Sequence, residues 1–222
     1  MPSGAAREGT RAVLFDLDGT LADTAPDLAA AVNFLRRDQG LDDLPLERVR
    51  PFASAGARGL VRVGFGVDPG DAEFVALRDA FLERYRERTC IETRLFPGMP
   101  ELLAALAARA IPWGIVTNKA TRFTDRIVSA LQLNPACVVC GDTTPHTKPH
   151  PSPLLHAAEQ LGLATAACWY LGDDLRDIQA ARAAGMRPVA VQWGYHHPDA
   201  GGPGAWQAEM VIDHPLDLLR HL

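Results

Sequence analysis

The sequence predicts an α/β fold: a Rossmann-like parallel sheet with helices on both faces, interrupted by an inserted all-helical cap domain. Three observations point there. Short apolar runs recur that lack the apolar/polar alternation of a half-exposed strand, as expected when both faces of a sheet are covered. Helical patterns separate these runs, which implies right-handed crossovers between parallel strands. One long stretch, residues 23–94, carries helical patterns and no convincing strand. We therefore expect a core of residues 1–22 and 95–222, with residues 23–94 as the cap.

The elements follow in order. Arg11–Asp16 is the first apolar run, and residues before it form a polar lead-in without the apolar segment of a secretory signal. Thr24 reads as an N-cap with Asp27 at the third helical position, a capping-box pattern that opens the helix Asp27–Gly40. Asp71–Arg88 reads as an amphipathic helix. Beyond the insert, a helix is expected from Pro100, because proline suits a first turn. Strands Ile111–Asn118, Ala136–Asp142, Cys168–Asp174 and Arg187–Gly194 follow, with helices over Arg122–Leu133, Pro151–Leu163 and Asp177–Gly185 between them. The last of these helices stops at a glycine suited to the C′ position. Glu209–Asp213 reads as an edge strand, and the Gly/Pro-rich His196–Trp206 as a mobile loop.

Composition excludes several classes. The net charge is −5, so no basic field invites nucleic acid or an anionic membrane. No apolar run approaches the ~20 residues of a bilayer span. A cytoplasmic protein, monomeric or dimeric, is expected. The four cysteines include Cys137 and Cys140 in a C-x-x-C arrangement. A second such pair is missing and the segment reads as a buried strand, so reduced, packed thiols are expected rather than a zinc or redox site. His146 and His150 fall among prolines that forbid a regular helix, and read as loop residues. The four tryptophans read as packing residues, and Asp23 and Asp27 as capping and hinge residues.

In an open parallel sheet, ligands bind beyond the carboxyl ends of the strands. The residues there form a chemical set: Asp16 and Asp18 after the first strand, Thr117 and Asn118 after the second, Lys148 after the third, and Asp173, Asp174 and Asp177 after the fourth. Of 22 basic residues only Lys119 and Lys148 are lysines, and both lie in these loops. A compact ammonium is evidently wanted there. Clustered oxygen ligands with few cations suit Mg²⁺ together with a substrate phosphate. A carboxylate can attack phosphorus, and a second carboxyl can move the proton.

These residues resemble the haloacid dehalogenase superfamily. Asp16-Leu17-Asp18-Gly19-Thr20 is similar to its first motif, Thr117 to its second, Lys148 to its third and Asp173 to Asp177 to its acidic fourth. The resemblance covers nearly the whole chain. It implies Asp16 as nucleophile and Mg²⁺ ligand, and Asp18 as general acid/base that gives the metal its backbone carbonyl. Thr117 and Lys148 would hold the phosphoryl group with help from Asn118. Asp173 would ligate Mg²⁺ in preference to Asp174, and Asp177 would orient Lys148 or a metal-bound water. Dehalogenases of the family lack the second aspartate of the first motif, so Asp18 argues for phosphate chemistry. A cap lysine, which phosphonate-cleaving members need, is missing. The chain resembles the phosphoglycolate phosphatase-like branch, and Gly172–Met186, Trp193–Pro198 and Val211–Leu219 resemble the branch acting on N-acetylmuramic acid 6-phosphate. The expected partner is a small phosphorylated metabolite. Arg58, between Gly56 and Gly59 in the cap, is expected to grip a substrate carboxylate. A phosphate-accepting signalling receiver is the alternative from another class. Such modules are about half this length and lack a cap.

Overall fold

The computed structural model describes residues 10–222; most of the N-terminal lead-in lies outside the described residues. Strand β1 (Ala12–Phe15) leads through β2 (Ala22–Asp23) into four helices. These are α1 (Ala25–Asp38), α2 (Leu46–Val49), α3 (Gly56–Phe65) and α4 (Phe74–Arg88). The chain returns through β3 (Arg94–Leu95), α5 (Met99–Ala108), β4 (Trp113–Val116), α6 (Thr121–Ala130) and β5 (Cys137–Val139). It ends with α7 (Ser152–Leu161), β6 (Cys168–Gly172), α8 (Leu175–Ala184), β7 (Arg187–Val191) and β8 (Met210–Ile212).

Six strands form one parallel sheet in the order β5-β4-β1-β6-β7-β8. The unbroken apolar run of β1 has a direct cause. Val13 and Phe15 enter a core with Met99, Leu102 and Leu106 of α5 and Ile127 of α6. Ala12 and Leu14 enter a second core with Leu154 and Ala157 of α7 and Ala180 and Ala181 of α8. Alternate residues thus face opposite sides, and both sides are covered. The chain leaves β1 for β4 and β5 on one flank, then crosses to β6, β7 and β8 on the other. The topological switch point therefore lies at the carboxyl end of β1, the position where such sheets bind ligands.

The helices between β2 and β3 pack on their own apolar cluster, which includes Val32, Leu35, Leu60, Phe81 and Tyr85 and takes in Phe123 and Tyr195 from the sheet-bearing part. β2 and β3 pair antiparallel, Ala22 opposite Leu95 and Asp23 opposite Arg94. The boundaries read from the sequence fall inside this two-stranded ribbon, which the sequence reading did not foresee.

Two local expectations need correction. Thr24 precedes α1 in helical backbone conformation and makes no side-chain cap bond. Its hydroxyl donates to Asp18 instead, and Asp27 accepts from Glu92 and Thr93. The capping box is replaced by two long-range ties. The Gly/Pro-rich loop is also not free: two short 3₁₀ turns anchor Trp206, which is buried against Ile178 and Ala190.

Candidate active site

The first motif turns sharply after β1. Gly19 has φ +85, and a Cβ there would lie 2.2 Å from Asp173 Oδ2. Only glycine combines that backbone with so close an approach. Gly194 closes on the same carboxylate from β7, since its Cβ would fall 2.0 Å from that of Asp173. Asp173 is fully buried and receives bonds from Thr20 Oγ1 (3.1 Å), Ser54 Oγ (3.1 Å) and the Tyr195 N–H (2.9 Å).

Lys148 stands at the centre of the acids. Its buried Nζ lies 2.7 Å from Asp16 Oδ1 and 2.7 Å from Asp177 Oδ1, and donates to Tyr170 Oη (2.7 Å). Burial pulls this ammonium down, but Asp16 and Asp177 outweigh it and the net shift is upward, so it stays charged. Asn118 holds the lysine in place. Its amide donates to Lys148 O and accepts from the Lys148 N–H, both at 2.9 Å. Both ends of the Asn118 side chain thus engage the Lys148 backbone. Thr117 is buried beside it, and its Oγ1 accepts from the Lys119 N–H (3.1 Å).

Asp16, Asp173 and Asp177 each place a carboxylate oxygen within 4.8 Å of the others. Burial pushes the Asp16 carboxyl up to about 7, against the pull of Lys148 and with the push of Asp177 and Asp18. Burial, then Asp16 and Asp177, raise Asp173 well above the ordinary carboxylate range. Asp173 forms no ion pair among the described residues. One lysine thus serves three buried acids, a deficit that a divalent cation would fill.

Asp174 does a different job. It caps α8 through the Arg176 N–H (2.9 Å) and takes Arg176 Nε and Nη2 at 2.8 and 2.9 Å. The arginine overcomes the penalty of burial and holds this carboxyl below the usual range. Asp177 completes the cap by accepting from the Asp174 N–H through its other oxygen (3.1 Å).

Asp18 Oδ1 accepts from the Thr24 hydroxyl and from Lys119 Nζ (2.8 Å). The Lys119 ammonium also lies 4.8 Å from the centre of the Tyr85 ring on α4. Asp16, Asp18, Thr117, Asn118, Lys119, Lys148, Asp174, Arg176 and Asp177 line one cavity of about 300 Å³. The helical insert supplies much of the remaining wall, including Ser54, Phe81 and Tyr85.

Arg58 is not part of this lining. It sits exposed in the first turn of α3, whose buried face is Gly59, Leu60, Val61 and Gly64. The glycines that suggested close ligand approach serve other ends. A Cβ at Gly59 would strike Ala55 and the Phe52 carbonyl, so that glycine serves packing within the insert, and Gly56 faces open space.

Sequence reasoning missed Lys119, Arg176, Ser54 and Tyr85. Lys119 carried a signal as one of two lysines. Arg176 lay inside the fourth motif. Ser54 and Tyr85 are brought in from the insert, and nothing local in the sequence marks them. His146 and His150 pack against each other at a tilt in the loop before α7 (ring centres 4.3 Å apart, planes at 38°) and join no metal-binding group among the described residues. All four cysteines are free, with Cys137, Cys140 and Cys168 buried. Trp113, Trp169 and Trp206 are buried packing residues. No helix among the described residues is long and apolar enough to cross a membrane.

A parallel sheet carrying acids, threonine and lysine at its switch point under a helical insert defines a class of hydrolases. The chain belongs to the haloacid dehalogenase-like hydrolase family, whose profile matches residues 13–191. It is 43% identical over 211 residues to an N-acetylmuramic acid 6-phosphate phosphatase of Pseudomonas aeruginosa, covering 94% of this chain and 93% of the relative. It is 44% identical over 211 residues to a phosphoglycolate phosphatase of Xanthomonas campestris, covering 94% of each. Among solved structures, a "predicted phosphoglycolate phosphatase" from Haemophilus somnus superposes with a TM-score of 0.83 at 28% identity, over 95% of this chain and 97% of that one.

Proposed function

We propose that this chain is a phosphatase that hydrolyses a small phosphomonoester through an aspartyl-phosphate on Asp16, in the manner of the phosphoglycolate phosphatases it resembles. The observation that carries the reading is Lys148 held between Asp16 and Asp177 in the cavity at the switch point. An Asp16 oxygen attacks phosphorus, and the bond from phosphorus to the ester oxygen breaks. Asp18 gives the leaving oxygen its proton. It then takes one from the water that cleaves the acyl phosphate, which frees phosphate and restores Asp16. Lys148 and Thr117 hold the phosphoryl oxygens.

Mg²⁺ fits the residues present: Asp16, Asp173 and the Asp18 carbonyl would hold it, since Asp173 has no cationic partner among the described residues while Asp174 is taken by Arg176. When bound, it supplies positive charge to the phosphoryl oxygens and to the crowded carboxylates. A specific observation also supports a second reading, an N-acetylmuramic acid 6-phosphate phosphatase: the 43% identity to such an enzyme over nearly the full chain.

The test is p-nitrophenyl phosphate turnover by the parent and by Asp16→Asn, each with Mg²⁺ and with chelator. Many turnovers are expected from the parent with Mg²⁺ alone, and nearly none from Asp16→Asn. A receiver would stop at one equivalent, and substantial activity in pure Asp16→Asn would remove the covalent step. Parallel assays on 2-phosphoglycolate and N-acetylmuramic acid 6-phosphate separate the two substrates.

A further inference from the structure

The cavity holds a second group of polar side chains that the phosphoryl chemistry leaves unused. Lys119 Nζ is buried, with Asp18 Oδ1 at 2.8 Å as its one hydrogen-bond partner among the described residues. The ammonium has three donors, so N–H capacity remains. Beside it the buried Tyr85 hydroxyl makes no well-formed hydrogen bond, although the Lys119 ammonium lies close enough to interact with it. Tyr85 is 1% exposed and lines the cavity. A phenol stranded in this way costs stability unless a ligand completes it. Next along the wall, Phe123 lies 5.1 Å from the Tyr85 ring, centre to centre, and the Arg122 guanidinium sits 4.7 Å from the centre of Phe123. Arg122 lines the cavity and forms no ion pair among the described residues.

The Lys119 ammonium and the Arg122 guanidinium suit this end of the cavity to an anionic group. The ammonium and the phenol hydroxyl offer two donors from neighbouring positions, which suits the two oxygens of a carboxylate. We propose that Lys119 and Tyr85 form the specificity subsite of this enzyme, and that its substrates are phosphomonoesters bearing a carboxylate. The inference rests on the phosphatase reading above. It gives to a core lysine and a cap tyrosine the role that the sequence suggested for Arg58.

The experiment compares 2-phosphoglycolate with 2-hydroxyethyl phosphate, which replaces the carboxylate by a neutral hydroxymethyl group on the same skeleton. The ratio of kcat/KM for the two esters is measured in the parent, in Tyr85→Phe and in Lys119→Met, with Mg²⁺ present. Tyr85→Phe keeps the ring and its packing and removes only the hydroxyl. The ratio is expected to favour the carboxylate in the parent and to fall by about tenfold or more in each variant. The change should sit in KM for Tyr85→Phe. A ratio within threefold of the parent in Tyr85→Phe overturns the inference, whatever happens to the absolute rates. A general structural defect would lower both esters together and leave the ratio in place. A parent that hydrolyses neither these esters nor p-nitrophenyl phosphate refutes the phosphatase reading itself. A parent active on both esters with unmoved ratios refutes only the subsite.

Discussion

Asp27 offers a quantitative test of how the helical insert is fastened. It lies in the first turn of α1 and is fully buried. One oxygen accepts from the Thr93 N–H (2.9 Å), the Thr93 hydroxyl (2.7 Å) and the Glu92 N–H (3.1 Å); the other also faces the Glu92 N–H (3.0 Å). The carboxylate therefore ties the segment leaving the insert to the segment entering it. Asp27→Ala removes the acceptor. Glu92 is exposed and water can serve its N–H, but Thr93 is fully buried and its two donors are stranded. Each stranded donor costs about 1–3 kcal/mol. The hydroxyl can rotate and recover part of its share, so we expect a loss of about 2–4 kcal/mol. That is a large fraction of the roughly 5–15 kcal/mol that holds a typical domain. Asp27→Asn keeps one acceptor oxygen and should lose about half as much. Equilibrium urea unfolding reads both values, with the denaturant slope unchanged if only the tie is lost. A loss under 1 kcal/mol in Asp27→Ala, or equal losses in both variants, would refute this account.

Two further predictions concern the metal and the thiols. Mg²⁺ at ten times its Kd should stabilise the fold by about 1.4 kcal/mol, a Tm gain of roughly 3–6 °C for a chain of this size. Scanning calorimetry should find that gain absent in Asp173→Asn, and an equal gain there would remove Asp173 from the metal site. For the thiols, burial raises Cys137 to about 11. At pH 8 only about one thiol in a thousand there would be reactive thiolate, before access is considered. Mass spectrometry after iodoacetamide treatment should show Cys90 modified first in the native protein and all four cysteines modified in urea. Labelling of Cys137 as fast as Cys90 would contradict the packing of β5.

The sheet was legible because its central strands obey one rule. A strand covered on both faces must be apolar at every position, and that run stands out from helical periodicity. The candidate site residues stood out for a related reason, since Asp16, Asp18, Thr117, Asn118, Asp173 and Asp174 sit one to three residues beyond such a run, with Lys148 and Asp177 farther along. What stayed hidden has physical causes too. β2 and β3 contain two residues each, too few to show any period. Thr24 and Asp27 carry a capping-box pattern, yet their partners are long-range, and tertiary contacts won over the local option. Arg58 failed because a glycine can mark tight packing inside the insert as readily as a ligand's approach. Lys119 was visible as a lysine, but its tie to Asp18 spans 101 positions in the chain.

These ties have a consequence for how the insert and the chemistry are coupled. The Asp18 carboxylate is gripped by Thr24, at the start of the first insert helix, and by Lys119, whose ammonium rests against Tyr85 of the last. Tyr195, from the loop after β7, accepts the Thr24 and Ala25 N–H groups at 2.7 and 2.9 Å and donates to Asp23, which also pairs with Arg50 at 2.7 Å. Ser54 reaches across to Asp173, and Arg176 holds the Ser54 carbonyl at 2.8 Å. Apart from the Arg50–Asp23 pair within the insert, these contacts tie the insert to residues at or beside the acids. A rotation of the insert about the β2–β3 ribbon must therefore strain or break bonds to Asp18 and Asp173 in the same movement. Asp18 and Asp173 thus share their restraints with the insert side of the cavity wall. On the proposed function, a substrate held on that wall would keep the insert in the position where these bonds to Asp18 and Asp173 form.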